Sequence, residues 1–234
     1  MLLLKISKKY NFFLTNLFGL YNLINYLLLK YKISINYYFY TNDVILNVIN
    51  KERRKGDLLL TVNESLQLYE SAKSALKIKG DFAEVGVYKG GSALIIAEVK
   101  RKRKLYLFDT FDGLPKAGKV DKYIETGAMK GVLEAVQNKL KKYSGIYFFK
   151  GLFPQTAMGI RNKRFAFVHF DVDLYRSTKD CLNFFYPRMS QGGVILTHDY
   201  PFLTGVKRAF DEFFSDKDEC VIKMVGNQGL VIKT

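Results

Sequence analysis

A Rossmann-like α/β fold is predicted: a mostly parallel sheet with helices on both faces, one antiparallel C-terminal strand, and an N-terminal helical appendage over residues 1–56. Three observations predict it. Apolar runs of strand length alternate with helix-length segments between residues 81 and 214. A glycine-rich loop, Gly86 to Gly91, joins the first strand to the helix behind it. The stretch 165–200 holds two apolar runs around a helix-length segment, the first ending in Asp171-Val172-Asp173 and the second in His198-Asp199-Tyr200. A strand–helix–strand crossover is right-handed and returns parallel. These acids and the imidazole therefore arrive at one sheet edge, the edge at which open α/β sheets bind ligands.

The first 56 residues read differently from the rest. Residues 11–29 carry no charge and lie between Lys8, Lys9 and Lys30, Lys32. Roughly 20 apolar residues suffice to span a membrane, but four asparagines interrupt this run. On a helical wheel Asn11, Thr15, Asn22 and Asn25 fall together, opposite Leu14, Leu17, Tyr21, Ile24 and Leu28. That pattern predicts an amphipathic helix. Its first expected use is docking on the body of the protein or on a second copy, giving a homo-oligomer. Its second is contact with a membrane surface through residues 8–32, helped by the flanking lysines. No small-residue cleavage site follows, so a signal peptide fits poorly and a cytoplasmic, at most peripheral, location is expected. Lys51 to Gly56 reads as a hinge, which divides the chain into residues 1–56 and 57–234.

The main domain opens with a helix over 61–79, started by a capping box in which Thr61 and Glu64 have the required spacing. A strand over 82–87 and a helix from Ser92 follow. The loop between them is not the dinucleotide fingerprint, because Tyr88 stands where a second glycine would admit a pyrophosphate. A ligand with an adenosine and a carboxylate tolerates that, since a helix amino end favours the carboxylate; a plain tight turn is the other reading. The second strand, 104–109, ends in Asp109 about 20 residues beyond the glycines, a spacing that suits a carboxylate on ribose hydroxyls. Residues 116–127 form a long polar loop of the kind that becomes a lid. A helix over 128–143, a strand over 146–150, a turn at Gly192-Gly193, a helix over 205–214 and a terminal hairpin over 220–233 complete the chain. Alternating strands and helices closed by a hairpin describe the class I methyltransferase arrangement.

Three carboxylates and an imidazole gathered at one edge repel or titrate unless something positive joins them, and a divalent cation is the simplest candidate. The net charge of +15 speaks to partners rather than fold. Much of it sits in surface runs such as 100–104, and it reads as a solvated basic surface without nucleic acid as a partner. The two cysteines, Cys181 and Cys220, lack metal or disulfide spacing, which accords with a reducing compartment.

From Asp81 to its end the chain resembles the macrocin and mycinamicin O-methyltransferase family, S-adenosylmethionine-dependent enzymes that methylate sugar hydroxyls. The segments AEVGVYKGG, FDTFDGLP, VHFDVDLYRST, FYPRMSQGGVIL with HDY, and GVKRAFDEFF with NQGLVIK carry the resemblance. It implies cofactor contacts at Glu84, Gly86, Gly90, Asp109 and Thr110. It further implies a magnesium ion held by Asp171 and the pair His198 and Asp199, with Asp173 as the base. His198 departs from the family, which usually has aspartate there. Magnesium prefers oxygen ligands, and imidazole suits manganese or another transition metal better. The acceptor implied is a hydroxyl of a sugar, glycan or glycosylated small molecule.

Two other classes fit parts of the pattern. A D-x-D at a strand end also holds the metal of nucleotide-sugar glycosyltransferases, but the first-strand loop and terminal hairpin favour the methyltransferase. A non-catalytic binder of anionic polymers would use the basic charge, yet the acids at the sheet edge would repel phosphates.

Overall fold

Seven strands form one sheet in the order β3-β2-β1-β4-β5-β7-β6 in a computed structural model that describes residues 43–234. They are β1 Asp81–Val85, β2 Leu105–Asp109, β3 Ile146–Lys150, β4 Phe165–Phe170, β5 Met189–Thr197, β6 Ile222–Lys223 and β7 Gly229–Ile232. Strands β1 to β5 pair in parallel, whereas β7 runs antiparallel to β5 and β6 antiparallel to β7. One strand, β7, thus opposes the others. The chain winds outward from β1 to β3, then returns to lay β4 on the other side of β1. Their carboxyl ends open a crevice at this reversal.

Among the described residues six α-helices surround the sheet: α1 Asp43–Arg54, α2 Val62–Ser74, α3 Gly91–Val99, α4 Leu133–Leu140, α5 Tyr175–Phe185 and α6 Thr204–Phe214. Strand alternation sends Ala83 and Val85 into one apolar core with Leu182 and Phe185 of α5 and Phe210 of α6. Phe82 and Phe167, of opposite parity, meet at 5.5 Å on the other face. Every residue of β4 is buried, as expected for a strand covered on both faces. Phe185 anchors the α5 side: its ring lies 5.0 Å from Phe165, 5.4 Å from Phe153 and 5.7 Å from Phe170. Truncating a buried phenylalanine costs about 3–5 kcal/mol. Phe185→Ala is expected to lose stability on that scale, read as a lower midpoint in urea at unchanged slope.

The capping box forms as predicted. Thr61 N–H donates to Glu64 Oε2 at 2.8 Å, and Glu64 N–H donates to Thr61 Oγ1 at 3.3 Å. Three expectations on element limits are corrected. The segment 51–56 is no free hinge: Lys51 to Arg54 close α1, and the buried Glu52 pairs with Lys55 and with Lys139 of α4, which also reaches Asp57. The helix expected over 128–143 shortens to α4, because the segment before it presses on the first-strand loop. A Cβ on Gly131 would stand 2.3 Å from the Tyr88 carbonyl oxygen. Gly192 and Gly193 make no turn ahead of a strand; they form a bulge inside β5, where the register jumps from Phe165↔Met189 to Phe167↔Val194. The amphipathic helix expected over 11–29, and its membrane or oligomer contacts, lie outside the described residues. No helix among the described residues is long and apolar enough to cross a membrane.

Candidate active site

A cavity of about 270 Å³ opens at the carboxyl edge of the sheet, over the β1–β4 reversal. Its walls are the loops that follow β1 to β5, together with the connection between α1 and α2. Seven of the expected residues line it: Gly86, Asp109, Thr110, Asp171, Asp173, His198 and Asp199.

Gly86 is required by close approach. With φ +89, it lays the β1 loop on the end of β4, and a Cβ there would stand 1.7 Å from the Asp171 carbonyl oxygen. The first-strand loop and the D-x-D segment are therefore built as one surface. Asp109, at the tip of β2, ties two loops together. Its Oδ2 accepts from the N–H groups of Val87 at 2.7 Å and Tyr88 at 2.8 Å, and its Oδ1 accepts from Phe111 N–H at 2.6 Å. Burial raises the Asp109 carboxyl above its usual range despite these three donors. A carboxylate offers roughly four acceptor positions, so one remains for a ligand hydroxyl.

Glu84 and Gly90 lie off the cavity wall. Glu84 points into the interior, fully buried, with Oε1 2.8 Å from His169 Nδ1. Burial raises its carboxyl, and the His169 contact only partly offsets this. The Ser92 hydroxyl, which favours ionised Glu84, does line the cavity. Glu84 thus stands one layer behind the wall, and His169 is its structural partner. Gly90 is the N-cap of α3 and faces Val136 of α4.

The acids converge on His198. Its Nδ1 lies 3.2 Å from Asp171 Oδ1 and 3.3 Å from Asp199 Oδ2, while Nε2 lies 3.7 Å from Glu64 Oε1. One ligand atom each from Asp171, His198 and Asp199 falls within a 4.8 Å span. Burial alone would lower the imidazole pKa, but the surrounding carboxylates, Asp171 foremost, override it and hold the ring protonated well above its usual range. Asp171 moves the other way: burial would raise it, and the His198 charge pulls it below the usual carboxylate range. Burial, the charge of Asp171 and a hydrogen bond with Asp199 push Asp173 up to about 8. Asp173 and Asp199 both carry positive φ, 56° and 60°. Such backbone is uncommon outside glycine and clusters at functional sites.

The long loop expected to act as a lid is pinned. Asp121, buried within it, accepts at Oδ1 from the N–H of Tyr175, the first residue of α5, at 3.0 Å, and at Oδ2 from Gly118 N–H at 3.2 Å. A carboxylate at a helix amino end is favourable, and here it fixes the helix that starts beside Asp173. Sequence reasoning did not single out Asp121, Ser92, Glu64 as a partner of His198, or the 57–60 wall. For Asp121 the only available signal was an acid in a loop of lysines.

Comparison with known proteins completes the picture. A profile of the macrocin-O-methyltransferase (TylF) family matches residues 64–228. The chain is 32% identical over 154 residues to 8-demethyl-8-(2,3-dimethoxy-alpha-L-rhamnosyl)-tetracenomycin-C 4'-O-methyltransferase of Streptomyces olivaceus, covering 58% of this chain and 59% of that protein. It spans about three fifths of that relative's length. It is 29% identical over 180 residues to mycinamicin III 3''-O-methyltransferase of Micromonospora griseorubida, covering 65% of this chain and 71% of the relative. Among solved structures, the O-methyltransferase NovP shares the fold with a TM-score of 0.69 at 22% identity, over 76% of this chain and 82% of that one.

Proposed function

The chain belongs to the macrocin-O-methyltransferase (TylF) family, and from that premise we propose that it is an S-adenosylmethionine-dependent O-methyltransferase. Its acceptor is a hydroxyl of a sugar or glycosylated small molecule, and a divalent cation assists. The observation that carries this reading is the meeting, at one cavity, of three features: the Gly86 loop, Asp109 at the tip of β2, and the acid–imidazole cluster after β4 and β5. The tetracenomycin relative, whose named substrate carries a rhamnosyl group, supports the acceptor class.

The residues present fit both groups. Gly86 lets the β1 loop lie against the end of β4 where both line the cavity, and Asp109 keeps one acceptor position for a ribose hydroxyl. The cofactor supplies an electrophilic methyl group on a sulfonium. For the cation, Asp171, Asp199 and His198 offer two oxygens and a nitrogen within 4.8 Å, a mixed set that suits a borderline ion better than magnesium. Such an ion supplies Lewis acidity that lowers the pKa of a nearby acceptor hydroxyl. Asp173 takes the proton that this hydroxyl loses as the new oxygen–methyl bond forms. The sheet edge holds acceptor and donor together, and that positioning contributes much of the rate.

The test is at Asp109. Asp109→Ala is expected to weaken S-adenosylmethionine binding more than about tenfold, the scale of one lost hydrogen bond to a charged group. Titration calorimetry reads the affinity, and a cooperative unfolding curve verifies that the variant is folded. Unchanged affinity in a folded variant would remove Asp109 from the cofactor site.

A further inference from the structure

We infer that Glu64 is the positioning residue of His198, holding the ring so that Nδ1, rather than Nε2, is turned toward a cation shared with Asp171 and Asp199. The inference rests on the metal reading proposed above and assigns a role to a residue outside the cavity wall. Glu64 lies at the third position of α2 and is buried. Its two oxygens divide their work. Oε2 accepts from the N–H and the hydroxyl of Thr61, each at 2.8 Å, which completes the helix cap. Oε1 plays no part in the cap. It accepts from Asn227 N–H at 2.8 Å and faces His198 Nε2 at 3.7 Å.

The ring is thus bracketed by acids on both sides. The two candidate oxygen donors both face Nδ1, at 3.2 and 3.3 Å, so Nδ1 is the nitrogen placed to share an ion with them. Nε2 is left with Glu64. Its 3.7 Å separation is an ion-pair distance, longer than the roughly 3.0 Å of a formed N–H···O bond. Were a metal to replace the proton on Nδ1, with that proton released to solvent, Nε2–H would be the one donor the ring retains, and Glu64 Oε1 is the carboxylate that faces it. A ligating imidazole whose second N–H meets a carboxylate has its tautomer and orientation fixed and is a stronger ligand.

The turn between β6 and β7 keeps Glu64 in place. Gly226 adopts φ +85, and a Cβ there would stand 2.6 Å from Oε1, so only glycine leaves the carboxylate its room. The Gln228 side chain donates to the Glu64 carbonyl at 3.3 Å, and the Gln67 side chain donates to the Val225 carbonyl at 2.7 Å. Bonds of this number are more than a helix cap requires.

The chain contains two histidines, which makes the tautomer readable. Full-length protein labelled with 15N-histidine yields two rings, with His169, buried against Glu84, as the internal reference. On adding Zn²⁺, the His198 Nδ1 resonance should move to a metal-bound position while Nε2 stays protonated. Glu64→Gln keeps the cap, since glutamine serves in a capping box. It should nonetheless give a mixed His198 tautomer and weaken Mn²⁺ binding, measured by electron paramagnetic resonance, by about tenfold or more. Thr61→Ala separates the two roles of Glu64: it should lower the melting temperature and leave tautomer and Mn²⁺ affinity as in the wild type. Zinc on Nε2, or Glu64→Gln matching the wild type in tautomer and affinity, would overturn the inference while leaving the metal reading intact. Metal uptake that is lost in Asp171→Asn but moves neither His198 nitrogen would overturn the inference and take His198 out of the proposed donor set, leaving the cation to Asp171 and Asp199. A wild-type protein that takes up neither ion at this cluster would overturn the metal reading and this inference with it.

Discussion

Asp173→Asn is expected to lower kcat by roughly 10²–10⁴-fold, the usual contribution of a positioned base, while S-adenosylmethionine affinity is unchanged. A carboxylate in its ordinary range is a weak base toward a sugar hydroxyl. In the metal-free cluster Asp173 is not in that range, because burial and the neighbouring Asp171 and Asp199 push it up to about 8. A pKa near the working pH is where a general base is most effective. Asparagine is the informative replacement because it is among the residues that tolerate positive φ, and Asp173 has φ 56. The variant therefore loses the proton acceptor without added backbone strain. An effect on the chemical step should appear in kcat and in kcat/KM alike. A variant with wild-type kcat at saturating acceptor would show that some other group takes the proton.

Why Asp173 was legible in the sequence, and Glu64's reach was not, has a physical basis. The strands announce themselves by apolar runs, and crossover handedness then places whatever follows β4 and β5 at one edge. Asp171, Asp173, His198 and Asp199 sit at strand tips, where local order determines position. Glu84 is different. It lies within β1, and its partner His169 is its direct register mate on β4, a pairing invisible until the strand order is known. In the sequence Glu64 is one half of a capping box, which accounts for one of its oxygens; the other is explained only by a hairpin turn and a strand end far along the chain. The shortened α4 and the placement of Gly90 have the same origin, since both are set by close approaches between segments distant in sequence.

Removing divalent ions with a chelator should abolish turnover, and Mn²⁺ should restore it better than Mg²⁺. The expectation comes from the donor set: Asp171 and Asp199 supply oxygens, but the third ligand atom within 4.8 Å is a His198 nitrogen. Magnesium favours all-oxygen shells, whereas imidazole suits manganese and later transition ions. His198→Asp converts the set to oxygen only and should move the preference back toward Mg²⁺. The same change removes the one cationic group among these acids, an imidazolium held by Asp171 and its neighbours. Without it the carboxylates repel one another unless an ion joins them, so the variant should depend on added metal more steeply than the wild type. Proton and metal also compete for Nδ1 in the wild type. Metal uptake should strengthen as pH rises, and since the ring's pKa is raised, that window lies above the ordinary histidine range near roughly 6.5. His198→Asp should flatten this dependence in the neutral range, because a carboxylate has already lost its proton there. The competing account places His198 outside the coordination shell with water as the third ligand. Under it the two proteins would share one metal ranking and one pH profile, and a metal-activation series run on both at several pH values would decide between them.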